Sequence, residues 1–270
     1  MKLSIYSKEL PGVKKNVLLK NYTTFKIGGK AKYFFVAKTK KDLVEAIKLA
    51  KKMKLPFFVL GGGSNILVSD KGFNGLVIKF GQPLSSYIPK GLEWAVGIPG
   101  TIQGAVCGNA GAFKKSMKDV VKEVEVFDTK TEKVKILKNK DCRFSYRNSI
   151  FRKKKNLIIL SVKIKSKKSD TKKIKQYLDY RKKTQPLNLP SAGSVFKNPA
   201  GFSAGELIER CNLKGKRVGN IKISEKHANF IVNLGRGKAK DVMKLIKIIK
   251  NRVKKKFGVT LEEEIQLLER

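Results

Sequence analysis

An unbroken apolar run, Phe57-Phe-Val-Leu60, passes directly into Gly61-Gly-Gly-Ser-Asn65, and a second segment, Gly97 to Ala112, carries glycine at 97, 100, 104, 108 and 111. Glycine loses more conformational freedom on ordering than any other residue, so such runs neither extend a strand nor seed a helix. They suit places where φ turns positive, or where a second backbone or a ligand comes close enough to exclude a Cβ. Successive N–H groups in such loops form anion-binding nests. Each loop alone fits a tight turn with close packing; the pair in one chain fits a nucleotide cofactor with a pyrophosphate. No G-x-x-x-x-G-K-[ST] occurs, and neither loop has the acidic partner of the Rossmann fingerprint.

The pattern around these loops is mixed. Tyr33–Val36, Phe57–Leu60 and 76–80 read as buried strands. Thr39 with Asp42 resembles a capping box, opening a helix whose stripe is Leu43, Ile47 and Ala50. Two β-like runs, 124–127 and 133–137, flank a polar turn, and a further strand is expected over 157–164. The helix expected over 171–183 places Arg181 on the face of Ile174, Tyr177 and Leu178, an unusual place for a surface charge. Ser203 with Glu206 reads as a second capping box, with Leu207, Ile208 and Cys211 inward. Phe230–Asn233 reads as a strand, and 241–257 as a long amphipathic helix closed by Gly258. Leu261-Glu-Glu-Glu-Ile265 reads as a final short strand. The fold class is α+β, with three expected units: 1–55, 56–185 and 186–270.

Across 270 residues the net charge is +40, yet 52 of the 61 basic residues are lysine, spread almost evenly, and the longest basic run is 152–155. Nucleic-acid binders concentrate charge on a face or motif and favour arginine for bidentate recognition. A general lysine bias therefore explains the charge better than a polynucleotide partner, and a polyanionic small substrate would still gain from the field. Cys107, Cys142 and Cys211 show neither a disulfide framework nor metal-ligand spacing, and His227 is the sole histidine, so no metal site is expected. No apolar run is long enough to span a bilayer, and residues 1–10 lack a secretory core. A cytoplasmic location is expected.

Thr23-Thr-Phe-Lys-Ile-Gly-Gly29, Gly61-Gly-Gly-Ser-Asn-Ile-Leu67, Gly97-Ile-Pro-Gly-Thr101 and Gly108-Asn-Ala-Gly111 resemble segments of the UDP-N-acetylenolpyruvoylglucosamine reductase family. So do Phe144-Ser-Tyr-Arg-Asn-Ser-Ile-Phe151, Ser191-Ala-Gly-Ser-Val-Phe-Lys-Asn-Pro199, Leu213-Lys-Gly215 with Val218-Gly219, Ser224–Asn233 and Leu261–Ile265, in order along nearly the whole chain. The resemblance implies a vanillyl-alcohol-oxidase-like, two-part FAD-binding fold, followed by a C-terminal α/β substrate domain whose tail returns to the active site. It implies non-covalent FAD, NADPH as hydride donor and a UDP-sugar enolpyruvyl ether as acceptor, with a monomer favoured. The absence of any histidine before His227 agrees with an untethered flavin.

Carried over position by position, the resemblance makes Ser194 the proton donor, with Arg147 and Glu264 at the developing enolate. Hydride addition to the terminal enolpyruvyl carbon leaves carbanion character beside a carboxylate, which calls for charge stabilisation and a positioned acid. Neighbouring Lys197 and Arg147 would ease loss of the serine proton, and Glu264 is expected to have a raised pKa. Gly61, Gly62, Gly63, Ser64, Asn65, Gly97, Ile98, Pro99, Gly100, Thr101, Gly108, Asn109 and Gly111 become cofactor-binding candidates. Tyr146, Arg181, Gln185, Lys197 and Asn198 become substrate-binding candidates, and His227 a supporting residue. Three departures mark a compact form of the family: a short 81–90 stretch, Gln103 where glycine is expected, and only 39 residues between Phe151 and Ser191. That last spacing leaves no room for a tyrosine-bearing loop over the substrate.

Overall fold

A computed structural model describes residues 9–269, so most of the N-terminal segment read for a secretory signal lies outside the described residues. Two compact units emerge: residues 9–17, 32–62 and 74–179 form one, and residues 18–31, 63–73 and 180–269 the other. The first five strands are β1 (Lys14–Leu18), β2 (Lys30–Val36), β3 (Phe57–Leu60), β4 (Ile66–Val68) and β5 (Phe73–Lys79).

The first unit opens with a sheet of order β1-β2-β5-β3, in which β3 and β5 run parallel. The helix Lys40–Lys52 covers it, and its capping box is complete: Thr39 Oγ1 accepts from Asp42 N–H at 3.1 Å, and Asp42 accepts from Thr39 N–H at 2.9 Å. Leu43, Ala46, Ile47 and Ala50 are fully buried against Tyr33, Phe35, Leu76 and Ile78, the stripe that the sequence spacing predicts. A small hairpin follows, β6 (Gly111–Ala112) with β7 (Lys115–Ser116). Then comes an antiparallel sheet of order β10-β8-β9, formed by β8 (Val121–Asp128), β9 (Lys133–Lys138) and β10 (Leu157–Ile164). Asp128 closes the β8–β9 turn, accepting from Lys135 Nζ at 2.6 Å and Asn156 Nδ2 at 2.7 Å, which holds its carboxyl well below the usual carboxylate range. A second core, with Trp94, Ile102, Val106, Val124, Val126 and Ile159, lies beneath this sheet.

The second unit carries a sheet of order β11-β14-β13-β12, from β11 (Ser191–Ser194), β12 (Arg217–Val218), β13 (Ile221–Ile223) and β14 (Phe230–Asn233). The helix Ala239–Phe257 buries Val242, Leu245, Ile246, Ile249 and Val253 and ends at Gly258, whose φ of 71° provides the left-handed cap. Its start is capped from far away in sequence: Asp70 accepts the N–H groups of Ala239 at 2.8 Å and Lys240 at 3.1 Å. At Ala204–Arg210 only half of the expected capping box forms, with Ser203 accepting from Glu206 N–H at 3.4 Å.

The last strand is a correction. The run 261–265 contributes one isolated bridge, Glu263 to Phe196, and the regular strand is β15 (Gln266–Leu268), parallel to β4. The tail changes partners at Ile265: Glu262 and Glu264 bond the 195–197 segment, and the ladder to β4 begins only at Gln266.

Candidate functional site

In the first unit the two glycine segments meet. A Cβ added at Gly62 would lie 2.3 Å from Gly100 Cα, closer than any side chain tolerates, so these backbones touch with nothing between them. Lys79, at the end of β5, donates from Nζ to Gly61 C=O. A trans peptide points its N–H opposite its C=O, so this grip also fixes the direction of Gly62 N–H. Burial pulls the Lys79 ammonium below its ordinary pKa.

Thr101 then caps the helix Ile102–Cys107 through Gly104 N–H at 3.2 Å. Gly97 and Pro99 sit exposed at the rim, with Ile98 half-buried between them. Gln103 is held by backbone on both sides. Its buried side chain accepts from Gln82 N–H at 3.0 Å and donates to Leu160 C=O at 3.4 Å. Asn109 is likewise committed to backbone, donating to Ser145 C=O at 2.8 Å and accepting from Lys118 N–H at 3.0 Å. Gly108 and Gly111 flank that tie.

The tie leads to the turn holding Arg147. Ser145 and Asn148 exchange both backbone bonds, at 3.0 and 3.1 Å, around Tyr146 and Arg147. Arg147 has a φ of 52°, where glycine or asparagine is the cheap choice and other side chains lose roughly 1–2 kcal/mol. Its guanidinium lies 5.2 Å from the Tyr146 ring centroid.

In the second unit, Gly63 has a φ of 66°, and an added Cβ would fall 2.1 Å from Tyr22 O, so glycine is required on both counts. Asn65 Nδ2 donates to Glu264 C=O at 3.2 Å, and Asn65 C=O accepts from Gln266 N–H at 3.0 Å. Glu264 N–H in turn donates to Val195 C=O at 2.8 Å, next to Ser194. Val195, Glu264 and the end of the glycine loop thus share one hydrogen-bonded network, with Ser194 next to it in the chain and both Ser194 and Glu264 half-buried. Lys197, two residues beyond Val195, pairs with Glu262.

The remaining candidates each have partners of their own. Arg181 is 6% exposed, and burial lowers its pKa, although a guanidinium stays charged throughout the working range. Gln185 continues that helix end, with its N–H on Arg181 C=O at 2.8 Å. Asn198 accepts from Ala204 N–H at 3.0 Å, a capping role. His227 Nδ1 accepts from Asn229 N–H at 3.2 Å, and burial pushes the imidazole pKa down, which keeps that nitrogen an acceptor. Among the described residues no cluster of three or more His, Cys, Asp or Glu could hold a metal, and no helix is long and apolar enough to cross a membrane.

Comparison with known proteins decides the family. Residues 185–268 match the model of the UDP-N-acetylenolpyruvoylglucosamine reductase C-terminal domain, and residues 31–90 match an FAD binding domain. A reductase of that name from Caldicellulosiruptor bescii is 44% identical, the match covering 93% of this chain and 88% of the relative. The chain belongs to the UDP-N-acetylenolpyruvoylglucosamine reductase family. A Caldanaerobacter subterraneus member is 40% identical, over 94% of this chain and 92% of its own. The crystal structure of the Thermus caldophilus reductase superposes with a TM-score of 0.81 at 34% identity, covering 95% of this chain and 99% of that one. The α+β FAD-binding fold with its family-specific C-terminal domain is therefore the fold of this chain, which is an FAD-dependent oxidoreductase by family.

Proposed function

We propose that the protein reduces UDP-N-acetylglucosamine enolpyruvate to UDP-N-acetylmuramate with NADPH, in the cytoplasm, as a step of peptidoglycan precursor synthesis. The observation that supports this reading is the bond from Glu264 N–H to Val195 C=O, which brings the Glu264 backbone next to the residue that follows Ser194 in a chain of this family. The glycine loops fit FAD, because the Gly62–Gly100 approach removes side chains where a diphosphate needs backbone N–H groups. Bound FAD would supply the hydride-carrying chemistry between NADPH and the enolpyruvyl group. Gly61–Asn65, Gly97–Thr101, Gly108, Asn109 and Gly111 would hold it without a covalent link.

The protein side chains then handle charge and proton. Ser194 donates a proton to the carbon beside the carboxylate, and Arg147 and Glu264 stabilise the enolate that precedes it. Arg181 binds the substrate diphosphate, with Tyr146, Gln185, Lys197 and Asn198 completing the substrate contacts. The substrate domain covers 186–270 and follows FAD-binding parts over 1–55 and 56–185, in a monomer with no nucleic-acid partner.

Two measurements bear on this. Purified protein should be yellow with flavin absorption bands, and acid should release all the FAD into solution; a folded protein that takes up no FAD contradicts the reading. Arg147→Ala should slow oxidation of the reduced flavin by substrate about 10²–10³-fold, the typical loss for one oxyanion donor, in stopped-flow absorbance. An unchanged rate would remove Arg147 from the chemistry.

A further inference from the structure

The segment after Ser194 is held by a side chain where a strand would be expected. β11 and β14 pair Ser191 with Val232 and Ser194 with Phe230, so three steps on one strand face two on the other, a bulge with Gly193 at a φ of 77°. The ladder ends at Ser194, because the chain before β14 turns away with Phe230 N–H on His227 C=O at 2.9 Å. Asn229 takes over from there. It is 4% exposed and spans both polar groups of Phe196, donating from Nδ2 to the C=O at 2.8 Å and accepting the N–H on Oδ1 at 2.9 Å. Its own C=O accepts Val195 N–H at 2.8 Å. On the opposite edge Val195 C=O accepts from Glu264, and Lys197 N–H donates to Glu262 C=O at 2.9 Å. Every backbone polar group of Val195 and Phe196 is thus committed, and Val195 is the shared neighbour of Ser194 and Glu264. Phe196 is 1% exposed, so no bulk water can replace the amide.

We propose that Asn229 is a positioning residue for the proton transfer, its amide fixing where the Ser194 hydroxyl and Glu264 stand relative to each other. The inference rests on the reading of Ser194 as proton donor. In that step the serine O–H breaks, a C–H forms at the carbon beside the carboxylate, and the serine recovers its proton from water. Nothing in the sequence motif distinguishes Asn229 from a core position; its partners do.

The test uses full-length, FAD-loaded protein carrying Asn229→Asp, which keeps the acceptor for Phe196 N–H but loses the donor, or Asn229→Leu, which loses both. Flavin reduction by NADPH should stay at the wild-type rate. The limiting rate of reoxidation by the enolpyruvyl substrate should fall about 10–10²-fold, the scale of a misplacement near 1 Å. Substrate dissociation constants should move less than roughly threefold, because binding is not what the amide serves. In a Ser194→Ala background Asn229→Asp should add less than about twofold, since residues acting as a unit are not additive. A wild-type reoxidation rate with only a lowered melting temperature would make Asn229 merely structural, and equal slowing of both half-reactions would also overturn the inference. Unimpaired reoxidation in Ser194→Ala alone would overturn the serine's own role; impaired Ser194→Ala beside normal Asn229→Asp would overturn the inference alone.

Discussion

Ser194→Ala is expected to leave FAD binding and flavin reduction by NADPH intact while slowing reoxidation by the enolpyruvyl substrate about 10²–10⁴-fold, the usual contribution of a positioned acid. The expectation follows from where Ser194 sits. It ends β11, the next residue is bonded to Glu264, and Ser194 itself is only half-buried rather than part of the core. On the proposed role, removing Oγ takes away the proton source without opening a cavity in the core. Stopped-flow absorbance separates the two half-reactions. A variant that blocks reduction by NADPH but reoxidises fast would mean the serine serves the other half of the cycle. No change in either would make it a turn residue.

Gly62→Ala should weaken FAD binding by roughly 10–10²-fold, measured by flavin fluorescence on titration. The added methyl would stand 2.3 Å from Gly100 Cα and 2.9 Å from its carbonyl carbon, so one loop must move. Overpacking of this kind costs about 1–3 kcal/mol, and each 1.4 kcal/mol is tenfold in affinity. Gly108→Ala is the informative contrast, because its methyl would meet only Gly104 O at 3.7 Å. Loop packing survives there, so any loss of FAD reports contact with the cofactor itself. Unaltered FAD affinity in Gly62→Ala would mean that the loops can separate freely and that the cradle does not hold the diphosphate.

What the sequence discloses and what it hides divide along physical lines. Local signals are legible. Thr39 with Asp42 caps its helix, β10 and β14 span the residues expected, and Gly258 ends the last helix in the left-handed conformation. These depend on spacing and backbone preference within a few residues. Arg181 is also legible, because helical periodicity places it on an apolar face and it is indeed buried. Features set by distant partners are not. Asp70 caps a helix that starts at Ala239, Gln103 bridges Gln82 and Leu160, and Asn229 grips Phe196. The tail read as a strand over 261–265 fails for the same reason: its register is dictated by Val195, Lys197 and β4, not by its own alternation. The left-handed Arg147 is set locally, in the turn closed by the exchange between Ser145 and Asn148, but the residue type gives no sign of it. Motif resemblance alone suggests the roles of Ser194 and Glu264; the structure adds the hydrogen bonds that tie Val195, the neighbour of Ser194, to Asn229 and to Glu264.

The central claim is tested most directly by turnover. Purified, FAD-loaded protein is mixed with NADPH and UDP-N-acetylglucosamine enolpyruvate, with NADPH absorbance followed in time and the sugar nucleotide analysed by mass spectrometry. The account predicts substrate-dependent loss of NADPH, one equivalent per sugar nucleotide, and a product heavier by two hydrogens. NADPH oxidation that proceeds equally without the enolpyruvyl sugar, or a sugar nucleotide recovered unchanged from a fully flavinated protein, would contradict it.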